Sequence, residues 1–204
     1  MQMWRSSLWT NPGAWYTLLG VGALVVSMWV PWWSADRTAR IERRADEIAE
    51  VLLRVAEQCL EPITEADLAT LFAQLSWQAA CAGSFVADLE LIEPPPDGVV
   101  MLLRNKHYAF QLAPSPLGAN LIAGRDTVPA YEVTAWPLSG AGPGHTAYFH
   151  PEDGPRAYTR NLGAGFAGLG KDRPLPGACH RPRGSTIQTR YHYRATDDKR
   201  WILY

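Results

Sequence analysis

Residues 6–35 hold no charged side chain, and the centre of that stretch, Trp15–Trp33 (WYTLLGVGALVVSMWVPWW), is apolar almost throughout. Its 19 residues would rise about 28 Å as a helix, close to the thickness of a bilayer's hydrocarbon core. The pattern predicts a tail over residues 1–13 and a transmembrane helix over residues 14–34. Pro31 marks the exit of the span or a kink in it. From Ala35 the period changes. Ile41, Ala45, Ile48, Leu52, Val55 and Cys59 recur at steps of four and three, one face of an amphipathic helix. Arg40, Arg43, Arg44, Glu47 and Glu50 fall largely off that face and read as a solvated side. Thr64-Glu65-Ala66-Asp67 before Leu68, Leu71, Phe72 and Leu75 has the form of a capping box, so a second short helix is expected over about 65–76 with Thr64 as its N-cap.

After residue 85 the pattern shortens to strand period. Phe85–Ile92, Val99–Leu103, Tyr108–Leu112, Tyr131–Trp136, Thr146–His150 and Arg156–Thr159 are expected strands, separated by turn residues such as Pro94-Pro95-Pro96-Asp97-Gly98 and Pro151-Glu152-Asp153-Gly154. Alternation of polar and apolar residues in them predicts an antiparallel meander with one face covered and one in water. Residues 161–184 carry six Gly and three Pro and read as an irregular loop. Residues 185–204 form a strand or hairpin around Asp197-Asp198. The fold class is α+β: a single N-terminal transmembrane helix running into an amphipathic helix packed on a small antiparallel sheet, with the helix-plus-sheet domain over 35–160.

Composition sharpens this picture. Nine Trp occur in 204 residues, and six lie in the first 33. Indole rings favour the headgroup region, where an apolar body and a polar N–H are both satisfied. Trp9, Trp15 and Tyr16 on one side, and Trp29, Trp32 and Trp33 on the other, are therefore the expected membrane-interface residues. Gly20 and Gly22 would allow close helix contact, though their spacing is not GxxxG. Only Arg5 precedes the span, the apolar run exceeds a signal peptide's, and no A-x-A site follows, so a retained anchor is expected. Arg37, Arg40, Arg43 and Arg44 follow the span, which by the positive-inside rule points the larger C-terminal part to the cytoplasm. A net charge of −1 supplies no field for nucleic acid.

Chemistry-bearing motifs weigh little. Gly163–Gly168 matches GxGxxG, but Pro174 and Pro176 prevent the helix that a dinucleotide site needs. Gly165–Lys171 matches GxxxxGK, yet Asp172 stands where a Mg²⁺-binding hydroxyl belongs. Cys59, Cys81 and Cys179 form no CxxC. In an oxidising compartment Cys59 and Cys81 are the pair nearest in sequence for a disulfide, while small buried hydrophobes is an equal reading. His150-Pro151-Glu152-Asp153 gathers ligand types in a turn without a second motif. No catalytic, cofactor-binding or metal residue is nominated, no cofactor is expected, and the chain does not read as an enzyme.

The layout of a membrane helix, a Pro near its end, an amphipathic continuation and a small antiparallel sheet resembles the pilin and pseudopilin family. The resemblance runs through TLLGVGALVVSMWVPWWSADRTARIERRADEIAEVL and then Tyr131-Glu132-Val133-Thr134-Ala135-Trp136-Pro137, Thr146–Phe149 and Glu152–Thr159, over about residues 14–160. The basic leader and the early Glu of that family are missing. The resemblance implies a pilin-like domain on the periplasmic side of a bacterial inner membrane, against the Arg count. The function expected is a non-catalytic, single-pass accessory subunit of a larger membrane complex, photosynthetic or respiratory. The alternatives are a minor pseudopilin of a secretion or pilus system, and a membrane-tethered binding module using the 161–184 loop. Expected partners are the lipid bilayer and other membrane subunits.

Overall fold

The computed structural model describes residues 12–59, 63–64, 67–81, 88–116, 130–140, 144–161, 165–182 and 191–204. The first helix, α1, runs Pro12–Glu57. The chain divides into two units, residues 1–40 and 41–204.

In the first unit α1 includes the one stretch of helix, among the described residues, that is long and apolar enough to cross a membrane. Its large side chains stand open: Leu18, Leu19, Leu24, Val25, Val26 and Val30 are all at least half exposed. Pro31 lies inside α1. The helix continues through it, and the hydroxyl of Ser34 donates to the Pro31 carbonyl at 2.8 Å. At the polar end of the span the Arg37 guanidinium sits 5.8 Å from the centre of the Trp33 ring, and Arg40 pairs with Asp36 at 2.8 Å.

In the second unit the apolar stripe of α1 finds its partner in a sheet. Ala45, Ile48, Leu52 and Val55 are at most 1% exposed. Full burial of each larger aliphatic side chain contributes about 1.5–3 kcal/mol. The second helix, α2, is Leu68–Cys81, longer than the sequence pattern suggests. The Asp67 carboxylate accepts hydrogen bonds from the Thr64 amide and hydroxyl at 2.9 and 2.7 Å. Asp67 thus supplies the acid half of the expected capping box, while the Thr64 hydroxyl donates to it and the Asp67 amide meets the Thr64 backbone carbonyl at 3.0 Å. Leu68, Leu71 and Leu75 enter the same core.

The sheet has eight strands: β1 Glu90–Leu91, β2 Met101–Arg104, β3 Tyr108–Pro114, β4 Tyr131–Pro137, β5 Ala147–Pro151, β6 Ala157–Thr159, β7 His192–Arg194 and β8 Arg200–Leu203. The order is β1-β2-β3-β4-β5-β6-β8-β7, antiparallel at every pairing. The meander and the hairpin around Asp197-Asp198 are as expected, and the class is α+β.

The one-sided sheet is not observed. Every residue of β4 is buried. Tyr131, Val133 and Ala135 face the helices with Phe110, Leu112 and Tyr148. On the reverse face Trp136, Ala109, Phe149 and Trp201 pack under Phe166 and Cys179. Alternation predicts two faces of different polarity, but the covering of the second face comes from residues far along the chain.

Candidate functional site

The predicted interface residues fall into two exposed bands. Trp15 and Tyr16 are 44% and 76% exposed, while Trp29, Trp32 and Trp33 are 67%, 71% and 57% exposed. Trp15 and Trp33 are about 27 Å apart along a helix axis, close to the separation of a bilayer's two interfaces. Trp9 lies outside the described residues.

The first polar constellation joins α1 to the sheet. Glu42, Asp46 and Glu50 share one helix face at steps of four. Glu42 Oε1 accepts from the His145 amide at 2.9 Å and from the Thr146 amide and hydroxyl at 3.2 and 3.0 Å. Asp46 accepts from His150 Nε2 at 2.8 Å and from the Tyr204 hydroxyl. Glu50 pairs with Arg156 at 3.0 Å and Arg54 at 2.8 Å. The expected solvated side of this helix is therefore part docking surface: Glu50 belongs to an ion pair with the sheet. Burial pushes the Asp46 carboxyl up, but the His150 and Tyr204 hydrogen bonds and the Arg156 charge outweigh it and hold it below its ordinary value. His150 is fully buried and its Nδ1 has no hydrogen-bond partner. That pattern fits a neutral ring protonated on Nε2, because a second buried N–H would go unsatisfied.

The second constellation lies on the reverse face of the sheet, under the Gly/Pro-rich segment. Glu132, the second residue of β4, is 1% exposed. Its Oε1 accepts the Gly177 amide at 2.7 Å, and its Oε2 accepts His180 Nε2 at 2.5 Å. Ser115 Oγ lies 3.3 Å from the same Nε2, and Phe149 meets the His180 ring edge-on at 4.8 Å. Serine, histidine and carboxylate thus gather from three elements that sequence order keeps apart. A nucleophilic relay needs the hydroxyl and the carboxylate on opposite ring nitrogens. Here both meet Nε2, and the proton there is already given to Glu132. The arrangement works as a latch that holds the loop on the sheet. Further fasteners are Trp136 Nε1 donating to the Gly168 carbonyl at 2.7 Å and the Asn161 amide bridging the N–H and C=O of Phe166 at 2.5 and 2.7 Å. Tyr193 donates to the Cys179 carbonyl at 2.9 Å.

So held, the segment is a strap rather than a free loop. It encloses a cleft of about 790 Å³ with Pro116, Phe166 and the Thr196–Lys199 turn. Among the described residues, Lys171, Arg173, Arg181 and Lys199 line it together with Asp172 and Asp197. Lys199 Nζ stands 4.2 Å over the Phe166 ring. Burial pushes the Asp197 carboxyl above its ordinary value.

The rejected motifs stay dispersed. Described residues 165–182 contain turns and no helix, so the Gly pattern has no helix end to offer a phosphate. His150, Glu152 and Asp153 do not converge: His150 turns to Asp46, while Glu152 accepts the Tyr131 amide at 2.9 Å. Among the described residues no group of three or more His, Cys, Asp and Glu is placed to hold a metal ion. Burial raises the Cys179 thiol well above its ordinary value, which keeps it protonated and a poor nucleophile. Cys59 donates to the Val55 carbonyl at 3.7 Å, and the side chain of Cys81 lies outside the described residues.

Sequence reasoning missed Glu132, His180, Asp46, His150 and Tyr204. The only signal was an acid inside an otherwise strand-like run, YEVTAWP, and alternation assigns such an acid to water. No protein-family model, curated protein or solved structure matches the chain.

Proposed function

We propose that this chain is a non-catalytic, single-pass membrane-anchored accessory subunit of a larger membrane protein complex, of the photosynthetic or respiratory kind, with its sheet domain on the periplasmic side of a bacterial inner membrane. The observation that carries the reading is the apolar part of α1, whose Leu, Val and Trp side chains are open over the whole stretch. Exposed aliphatic surface of that extent needs lipid or partner helices around it. The pilin-like layout draws support from the apolar stripe of residues 41–59 lying on an antiparallel sheet. The covered second face of the sheet is a departure from the simple layout. Purification in mild detergent followed by crosslinking and mass spectrometry tests the reading. Co-purifying membrane subunits are expected; a chain released by alkaline carbonate, or recovered as a monomer with no neighbour, overturns it.

A second reading, a membrane-tethered binding module, is favoured by the cleft under the strap. Its volume lies in the range of small-molecule sites. A thermal-shift screen on the full chain in detergent tests it, with stabilisation expected from at least one ligand class.

A further inference from the structure

We infer that the exit of the span binds the phosphodiester of an anionic phospholipid, held by the Arg37 guanidinium beside the Trp33 indole. This rests on the reading of α1 as a membrane anchor and names the lipid class that its exit selects. Three observations carry it. First, Trp29, Trp33 and Arg37 follow one another at steps of four, on one face of the helix, and all three are exposed. Arg37 Cζ lies 5.8 Å from the centre of the Trp33 ring, within cation–π range. A ring face orients the guanidinium without neutralising it, so the charge and the planar fork stay available to an oxyanion. Second, no carboxylate among the described residues pairs with Arg37. Its neighbour Asp36 is engaged with Arg40 at 2.8 Å. The two free oxygens of a phosphodiester are the acceptor that a guanidinium fork fits. Third, the depth is right. Trp33 belongs to the indole band that marks the edge of the hydrocarbon, and Arg37 lies about 6 Å further along the axis. The polar layer on each side of a bilayer is about 5–7 Å thick, so Arg37 stands among the headgroup phosphates. That depth commits the site to lipid rather than to a free phosphate. A choline headgroup brings a cation of its own, which Arg37 repels; a headgroup such as glycerol does not.

The test places the full chain in nanodiscs of equal parts phosphatidylglycerol and phosphatidylcholine, releases it gently and counts the retained lipids by native mass spectrometry. Phosphatidylglycerol should be enriched about fivefold over phosphatidylcholine among the lipids that stay bound. Arg37→Gln should remove most of that enrichment. Trp33→Leu keeps an apolar side chain but no ring, and should lower it about twofold. Lys106→Gln, on an exposed residue of the sheet domain, should leave it unchanged. Equal retention of the two lipids by the native chain overturns the site, and so does an enrichment that Arg37→Gln leaves intact. A loss as large in Lys106→Gln as in Arg37→Gln means general charge attraction and overturns it as well. An enrichment that Trp33→Leu does not lower overturns the part given to the indole. In each of these outcomes the chain has entered the nanodisc, so the anchor reading stands. A chain that does not enter the bilayer overturns the anchor and the lipid site together.

Discussion

His180 Nε2 donates to Glu132 Oε2 at 2.5 Å across 48 positions of sequence. The bond ties an irregular, Gly- and Pro-rich strap to the start of β4, a strand inside the sheet. It also explains a carboxylate that is 1% exposed, since a buried acid persists only with its lone pairs occupied. Glu132→Ala should therefore cost about 3 kcal/mol, leaving both the Gly177 amide and His180 unsatisfied. Glu132→Gln should cost distinctly less: its amide oxygen can still accept from Gly177, and His180 can adopt the tautomer that accepts from the amide N–H. Denaturation of the detergent-solubilised chain followed by near-UV circular dichroism measures both. Equal losses would contradict the role of the hydrogen bonds.

The joint between α1 and the sheet should be acid-sensitive. Asp46 lies below its ordinary 3.8. Glu50, hydrogen-bonded by Arg156 against the opposing effect of burial, lies below its ordinary 4.5. Groups depressed in the folded state add stability that is complete above the unfolded values and is lost as pH falls through the folded ones. Glu57 and Asp197, raised by burial, act in the opposite sense. Comparison with Asp46→Asn isolates the joint. The variant should be less stable at neutral pH and should show a shallower loss of stability below about pH 4. Parallel acid limbs in melting temperature would exclude the effect.

Tyr204→Phe removes the hydroxyl shared by Asp46 and His150. Burial, then the hydrogen bond to Asp46 and its charge, raise the phenol's pKa, so the hydroxyl keeps its proton and donates. The variant should lose about 1 kcal/mol, or about 2–4 °C in Tm for a domain of this size. The expected loss should shrink when Asp46→Asn is already present, in a double-mutant cycle.

Gly177→Ala should loosen the strap. Gly177 has φ +77°, and a Cβ there would approach Pro116 Cγ to 2.7 Å. Left-handed strain and the clash together should cost about 1–3 kcal/mol. Hydrogen exchange should accelerate at the Gly177 and Ala178 amides while amides of β3 and β4 hold their rates, because the strap can open without the sheet.

The sequence by itself determined the elements. Thirty residues without a charge, the three-and-four spacing of Ile41 to Cys59, and short strands between turn residues each reflect a local period. Those periods reappear as α1 and the antiparallel order of the strands, because they arise from backbone geometry within a few residues.

Only the tertiary structure decided which faces are covered and which polar groups meet. Alternation separates Glu132, Thr134 and Trp136 from Tyr131, Val133 and Ala135, but it cannot say that a strap forty residues later covers the first set. Asp46, His150 and Tyr204 belong to a helix, a strand and the C-terminal strand's end, up to 158 positions apart. Their meeting depends on strand order and register, and Lys199 likewise meets the strap's Lys171, Arg173 and Arg181 only when the strap folds back over the sheet. Long-range pairing of this kind leaves no periodic trace in a single sequence, since each residue's local surroundings are the same whether its distant partner is present or not.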